Sequence, residues 1–275
     1  MTVDKALSYA KKKIHSDYAK LLLADLLSLN PLELLLHLQD EVPKDKLDIY
    51  YKEIDAISDG KPIQYAIGHI NFLNNQFIIN NNVLIPRFET EELVEKTIIK
   101  AKELFNKPLD IIDLGTGSGV IGISLEKNLD TNNVDLIDIS KEALEVAKNN
   151  IDKLKSKANL IENNMLEGIN NKYDIIISNP PYIKEDEEIE EIVKDNEPHI
   201  ALYGGKDGLD YYKDIAKNLK NVLKDQSLIA FEIGCDQGED IKNILLKEIP
   251  NLKIEILKDM QDRDRFIFGV FDKLN

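Results

Sequence analysis

Over residues 3–57 apolar positions recur three and four apart, and VDKALSYAKKKIH, DYAKLLLADLLSL, PLELLLHL and KDKLDIYYKEIDAI each predict a helix. Asp17 and Pro31 are the start signals of the second and third. Leucine stripes at this spacing are packing faces, so the stretch reads as a small helical module with no site of its own. From 62 to 86 the period shortens. PIQYAIGHINFLNNQFIINNNVLIP alternates β-branched and aromatic runs with Asn-rich turns, which predicts a hairpin-like connector between two domains.

RFETEELVEKTIIKAKELF then predicts a helix whose early glutamates, Glu89 and Glu91, sit favourably in the helix dipole behind Arg87, with a direct substrate role as the alternative. Beyond it the chain alternates between strand and helix. Strands are expected at 109–114, 134–139, 159–162, 173–178, 227–233, 252–257 and 265–271, with helices such as SKEALEVAKNNIDKL and GLDYYKDIAKNLKNVL between them. Strands this apolar imply an α/β domain with a mostly parallel sheet covered on both faces. The last two are too close together for a crossover, so the final one should run antiparallel. The expected division is a helical domain at 1–61, the hairpin connector at 62–86 and the α/β domain at 87–275.

A length of 275 residues accommodates that division. The formal net charge of -15 excludes affinity built on clustered Lys and Arg wrapping a phosphate backbone, so no direct nucleic-acid partner is expected. Cys235 is the one cysteine, which rules out an intramolecular disulfide and a cysteine-based metal site and suggests a reducing, cytoplasmic setting. It should pack as a small apolar side chain in the turn after the fifth strand. His15, His37, His69 and His199 lack metal-ligand spacing, and no metal is expected. No apolar run precedes a cleavage-type site near residue 16, and none reaches eighteen residues, so neither export nor a membrane span is expected.

Two loops carry candidate chemistry. DIIDLGTGSGVIGISL is a buried strand, a glycine turn and a helix start, where Gly115, Gly117 and Gly119 let the backbone approach a ligand. The dinucleotide fingerprint requires G-x-G-x-x-G, but here the third glycine comes one residue early and Val120 takes its place, which disfavours a pyrophosphate. Asp138, ending the next strand, lies where an acid accepts hydrogen bonds from ribose hydroxyls, while Ser140 can cap the following helix alone. A nucleoside without a diphosphate satisfies both facts. S-adenosyl-L-methionine is the common cofactor of that kind.

The second loop, ISNPPYIK, follows the fourth strand of the sheet, at the carboxyl ends where open α/β sheets bind ligands. Pro180 and Pro181 have fixed φ and no N–H, and Asn179 is pushed toward extended backbone, so the loop is stiff and rich in acceptors. Such a loop suits methylation of a planar nitrogen whose lone pair is delocalised. The Asn179 side-chain oxygen and the Pro180 carbonyl would each accept one N–H and bind the nitrogen more strongly as positive charge develops there. Tyr182 would lie against the flat group.

NPPY, preceded by DLGTGSG and DIS, resembles the amino-group methyltransferases that use S-adenosylmethionine. QYAIG (64–68), VLIPRFETEELVE (83–95), ISNPPYI (177–183) and EPHIALYGGKDGLDYY (197–212) further resemble the PrmC/HemK family over nearly the whole chain. The resemblance implies a seven-stranded Rossmann-like methyltransferase domain and a small N-terminal helical domain that grips the substrate, joined by a β-hairpin. It also implies methylation of the glutamine side-chain amide in the Gly-Gly-Gln motif of bacterial peptide chain release factors, with S-adenosyl-L-homocysteine as product, by a cytoplasmic monomer that modulates translation termination. By position it puts the cofactor loop on Gly115, Thr116, Gly117, Ser118 and Gly119, the ribose acid on Asp138, and the adenine-side contacts on Asn164 and Met165. Asn179 then meets both cofactor and substrate, with Pro180, Pro181 and Tyr182 completing the substrate loop.

The chain departs from the family at Asn164 and Met165, where an aspartate and an aromatic are usual, and at Gln261, where glycine is common. Asn can still accept from an adenine amino group and Met offers a soft apolar face. Two rivals stand beside this expectation. An adenine amino-methyltransferase acting on DNA could use NPPY equally well, but KEDEEIEEIVKDNE, a solvated helix or lid with eight acids against two lysines, would repel a phosphate backbone. The same stretch could dock a basic partner. A non-catalytic adaptor would be expected to have lost part of the glycine loop, Asp138 or Asn179, and all are present.

Overall fold

The computed structural model describes residues 1–274, and the chain divides into two compact units. The first takes Met1–Ile70 together with Glu190–Asn196, and the second takes Asn71–Ile189 and the chain from Glu197 onward.

In the first unit α1 (Val3–Ala10), α2 (Ser16–Leu26) and α3 (Lys44–Ser58) bury Leu7, Leu22, Leu23, Tyr50 and Ile54 around a common core, as their spacing predicts. The Tyr50 hydroxyl inside that core donates to the Ala19 carbonyl at 3.1 Å, which satisfies its one polar atom. The start signals differ from expectation. The His15 ring caps α2 by accepting the Asp17 N–H, and Asn30 Oδ1 accepts the N–H groups of Leu32 and Glu33, one residue before Pro31. PLELLLHL contributes a short 3-10 helix, Glu33–His37, in which Leu34 alone is buried.

The segment from 62 does not begin as a hairpin. Residues Ile63–Ile67 form α4, ended by Gly68 at φ 82°, because the apolar residues of PIQYAIG pack on the helical core. The hairpin follows as β1 (His69–Phe72) and β2 (Asn75–Ile78), turned at Leu73 and Asn74 with φ of 42° and 63°. The boundary between the units falls within β1.

The second unit runs on through α5 (Phe88–Leu104), β3 (Leu109–Leu114), α6 (Val120–Asn128), β4 (Thr131–Asp138), α7 (Lys141–Leu154), β5 (Asn159–Glu162) and β6 (Tyr173–Ser178). After α8 (Glu191–Asn196), which belongs to the first unit, come α9 (Asp210–Val222), β7 (Leu223–Glu232), α10 (Gly238–Glu248), β8 (Lys253–Lys258) and β9 (Asp264–Asp272). Asn196, closing α8, donates through Nδ2 to the Gly60 carbonyl at 3.0 Å. The seven strands line up as β5-β4-β3-β6-β7-β9-β8. All pair in parallel except β9, which is antiparallel to both β7 and β8, as the short connection requires. All six residues of β6 are buried, and α9 and α10 cover one face with Tyr212, Ile215, Leu219, Ile241 and Leu245. β3 lies between β4 and β6, so the chain's order reverses there and the three strands end side by side.

Asn150 of α7 is fully buried and ties the hairpin to the glycine loop. Its Oδ1 accepts the Ile78 N–H at 2.6 Å, and its Nδ2 donates to the carbonyls of Ile78 and Ser118. Asn150→Leu strands those backbone groups and is expected to cost about 2 kcal/mol, read as a lower urea midpoint with unchanged slope.

No described helix is long and apolar enough to cross a membrane, and no group of three or more potential metal ligands occurs among the described residues.

Candidate active site at the strand ends

The glycine loop leaves β3 with Gly115 and Gly117 at φ of 67° and 55°, a left-handed backbone that a side chain would strain. Asp113 holds the loop from beneath. It is fully buried, and its Oδ2 accepts the Thr116 hydroxyl at 2.5 Å and the Gly122 N–H at 3.0 Å. Burial pushes its carboxyl up to about 7 against the downward pull of those two bonds. Thr116 and Ser118 are buried too, and both act on loop shape: Thr116 through Asp113, Ser118 through its carbonyl to Asn150.

Asp138 ends β4 beside this loop. Its Oδ2 accepts the Gly117 N–H at 2.8 Å and its Oδ1 the Ser140 N–H at 2.9 Å. With the Ile139 N–H also directed at it, up to three of the roughly four acceptor sites of a carboxylate are used, which leaves at least one. Burial raises its pKa against those bonds. The cap of α7 is Ser140, whose Oγ accepts the Ala143 N–H at 3.1 Å, so Asp138 is not needed for that role. After β5, Asn163 Nδ2 donates to the carbonyls of Met165 and Glu167 and folds a turn in which Met165 takes φ 45°.

Asn179 follows β6, whose last residue is anchored by the Ser178 hydroxyl on the Leu114 carbonyl at 2.7 Å. Asn179 Nδ2 donates to Thr90 Oγ1 at 3.1 Å, and that hydroxyl donates to Glu232 Oε2 at 2.7 Å. Tyr182 packs on the core and points its hydroxyl at Glu232 Oε1, 3.4 Å away, while its carbonyl accepts Gln237 Nε2 at 2.9 Å. The backbone beneath the prolines is close-set. A Cβ on Gly204 would lie 2.5 Å from the Pro181 carbonyl oxygen, which explains a glycine in the GGKDG segment.

One cavity gathers Gly115, Gly117, Asp138, Asn164, Met165, Asn179 and Pro181. Thr116, Ser118, Gly119, Pro180 and Tyr182 do not line it. Further wall is supplied by residues without a periodicity signal: Asn82, Val83 and Leu84, Pro198, Ile200 and Ala201, and Tyr211. Most of these lie within VLIPRFETEELVE and EPHIALYGGKDGLDYY, the segments that carried the family resemblance. Glu197 latches the two halves of that wall. It is 4% exposed, and its carboxylate accepts the Ile85 N–H at 3.0 Å and Arg87 Nη2 at 2.5 Å.

Three expectations need correction. The acidic stretch is not uniformly solvated, because its last member, Glu197, is that buried latch, although the acids from Glu185 to Asp195 are exposed. Cys235 does not pack inside; it is exposed, since the turn after β7 runs along the surface. Glu91 does more than complement a dipole, as its Oε1 accepts the Leu73 N–H at 2.6 Å. Gln261 lies in a turn whose left-handed residue is Asp262, at φ 62°, so the turn does not demand glycine at 261.

Comparison with known proteins agrees with this architecture. Residues 90–201 match the Methyltransferase small domain family and residues 6–68 the PrmC N-terminal domain. A release factor glutamine methyltransferase of Bacillus subtilis (strain 168) is 39% identical over 88% of this chain and 86% of its own length. Another, from Clostridium acetobutylicum, is 37% identical over 94% of this chain and 92% of its own. A T. thermophilus 16S rRNA methyltransferase solved with AdoMet and guanosine shares the fold, with a TM-score of 0.52 at 12% identity over 74% of this chain and 49% of that one. With such identity sustained over most of both lengths, and a strand-end cavity that brings the glycine loop, Asp138 and Asn179 together, the chain belongs to the release factor glutamine methyltransferase family.

Proposed function

We propose that this chain transfers a methyl group from S-adenosyl-L-methionine to the side-chain amide nitrogen of the Gly-Gly-Gln glutamine of bacterial peptide chain release factors, and so modulates translation termination. The observation that carries this reading is Asn179, presented at the end of β6 on the same cavity as Asp138 and the glycine loop. The residues present fit the cofactor. Asp138 has acceptor capacity left for ribose hydroxyls, and Ile139, Met165 and Tyr211 offer apolar faces to a purine. Asn164 would accept from the adenine amino group.

The cofactor supplies an electrophilic methyl on sulfonium. The chain's own task is to present the amide nitrogen. Asn179 Oδ1 and the Pro180 carbonyl would hold its two hydrogens, localising a lone pair that resonance otherwise withdraws. As the nitrogen–methyl bond forms and the methyl–sulfur bond breaks, its electrons stay on sulfur, giving S-adenosyl-L-homocysteine. The new N–H acidity releases a proton to water, so no matched general base is required. The two acceptors act most strongly on the developing cation. Pro181 stiffens the loop, and Tyr182 would border the flat amide, although its hydroxyl is committed to Glu232.

DNA adenine is disfavoured by the exposed acids that follow NPPY and by the net charge of -15. Those acids suit a basic face on a protein substrate. We further assign substrate gripping to the helical unit, and read the protein as a cytoplasmic monomer without direct nucleic-acid or membrane contact.

The test is methyl-labelled S-adenosylmethionine with a bacterial release factor, and with the same factor carrying alanine in place of its Gly-Gly-Gln glutamine. Label is expected in the intact factor alone. Label in both proteins would refute the assigned glutamine, and label only in added DNA would move the chemistry to adenine.

A further inference from the structure

Asn179 can serve as an acceptor only if its carboxamide is turned the right way. Its two ends, oxygen and NH2, are nearly the same size, so sterics alone scarcely distinguish one orientation from its flip. In the flipped state two N–H donors would confront the N–H donors of the substrate amide. Something in the protein must select the oxygen-out state.

Thr90 and Glu232 provide that selection. Thr90 lies in the first turn of α5 and Glu232 at the end of β7, far from residue 179 in sequence, and they are 2% and 1% exposed. When Glu232 is ionised its carboxylate is an acceptor only, and the Thr90 hydroxyl then points its proton at Oε2. With its proton so committed, Thr90 Oγ1 offers lone pairs to Asn179, and the contact at 3.1 Å is made by Nδ2. The direction of two hydrogen bonds in series thus leaves Oδ1 as the free end of the carboxamide. Glu232 is held by further neighbours, with the Arg265 charge acting on it as well. The Tyr182 hydroxyl approaches Oε1, and Tyr212 donates to the Glu232 backbone carbonyl at 2.7 Å. An apolar residue at this sheet position would avoid burying a carboxylate altogether, so its presence calls for a function.

We propose that Thr90 and Glu232 are positioning residues for methyl transfer, acting through Asn179 by fixing its carboxamide with the oxygen toward the substrate nitrogen. This rests on the reaction proposed above for the same site. It adds a requirement outside the NPPY loop and outside the cavity wall, since neither residue lines the cavity.

The experiment compares wild type with Thr90→Val, Thr90→Ser and Glu232→Gln in the full chain. Valine matches threonine in shape but cannot hydrogen-bond, whereas serine keeps the hydroxyl. Release-factor methylation should fall in kcat by about tenfold for Thr90→Val and about fivefold for Glu232→Gln, with Thr90→Ser within about twofold of wild type, the scale of losing one neutral or charge-assisted bond. KM for the methyl donor should stay within about threefold in all four proteins, because the glycine loop and Asp138 are untouched.

A second readout needs no substrate. The Asn179 side-chain amide resonance, assigned by its loss in Asn179→Asp, should exchange its protons with water about tenfold faster in Thr90→Val, and at the wild-type rate in Thr90→Ser. Thr90→Val with wild-type kcat, or with unchanged Asn179 exchange, would overturn the positioning role. Equal losses in Thr90→Val and Thr90→Ser would do the same, by showing that shape rather than the hydroxyl matters. A wild-type protein that fails to methylate the release factor while Asn179 exchange responds as described would instead refute the reaction and leave the hydrogen-bond chain standing.

Discussion

Asn179→Ala is expected to lower kcat for release-factor methylation by about 10²–10³, the scale for removing one preorganised partner of developing charge. The alanine lacks the acceptor that localises the nitrogen lone pair, and it also strands the Thr90 hydroxyl oxygen that now receives Nδ2. The loss should appear mainly in kcat. Asp138, the glycine loop and the Met165 turn remain in place, so calorimetric affinity for S-adenosyl-L-homocysteine should change less than tenfold, by the ~1 kcal/mol of a single contact. A mutant with normal kcat and a raised KM would reduce Asn179 to a binding residue. Single-turnover measurement separates the chemical step from product release, and the deficit should survive in it.

Glu232→Gln carries the second large expectation, and it concerns folding. Burial pushes the Glu232 carboxyl from its ordinary 4.5 up to about 7, with the Thr90 bond and the Arg265 charge pulling the other way. A carboxyl whose folded value lies above its unfolded one favours folding fully only below the lower value. That contribution is lost as pH rises from 4.5 through 7. Wild type should therefore be penalised at pH 8 relative to pH 4, by on the order of 3 kcal/mol from this group at 1.36 kcal/mol per pH unit. Glutamine removes the titration. Urea unfolding at pH 4, 6 and 8 should show Glu232→Gln gaining on wild type as pH rises, while its methyl transfer is weaker. A difference between the two proteins that stays flat with pH would mean that the carboxyl is already neutral, or already fully paired, throughout. Asp113, also raised to about 7 by burial, remains in both proteins and cancels in the comparison.

The sheet was legible because its strands are apolar enough to reveal a parallel core, and the glycine loop, Asp138 and Asn179 drew attention because each sits at the carboxyl end of a strand. Their meeting is a consequence of β3 lying between β4 and β6. The elements that sequence misplaced are those decided by context. PIQYAIG reads as a β-like run, yet Ile63 and its neighbours find a helical core to pack on and form α4. Asn30 and His15 displaced the stronger-looking Pro31 and Asp17 because capping depends on which side chain reaches a free N–H. Glu197 was hidden in a run of acids, since nothing local distinguishes the one acid that meets Arg87 and the Ile85 N–H from seven that meet water. Thr90 and Glu232 gave no local signal either. Their importance lies in the order of two hydrogen bonds between residues 89 and 142 positions apart.

The discontinuous makeup of the first unit also has a bearing on how the protein comes off the ribosome. Its helices α1 to α4 are synthesised first, but the set is complete only when α8 emerges, by which time β1 to β6 have already been made. Domains emerging from the ribosome fold as units, amino-terminal ones first. Here the core of the first unit lies wholly within residues 3–67 and can form in that order, whereas α8 joins it late: the Gly60 carbonyl must wait for Asn196, made only after the NPPY loop.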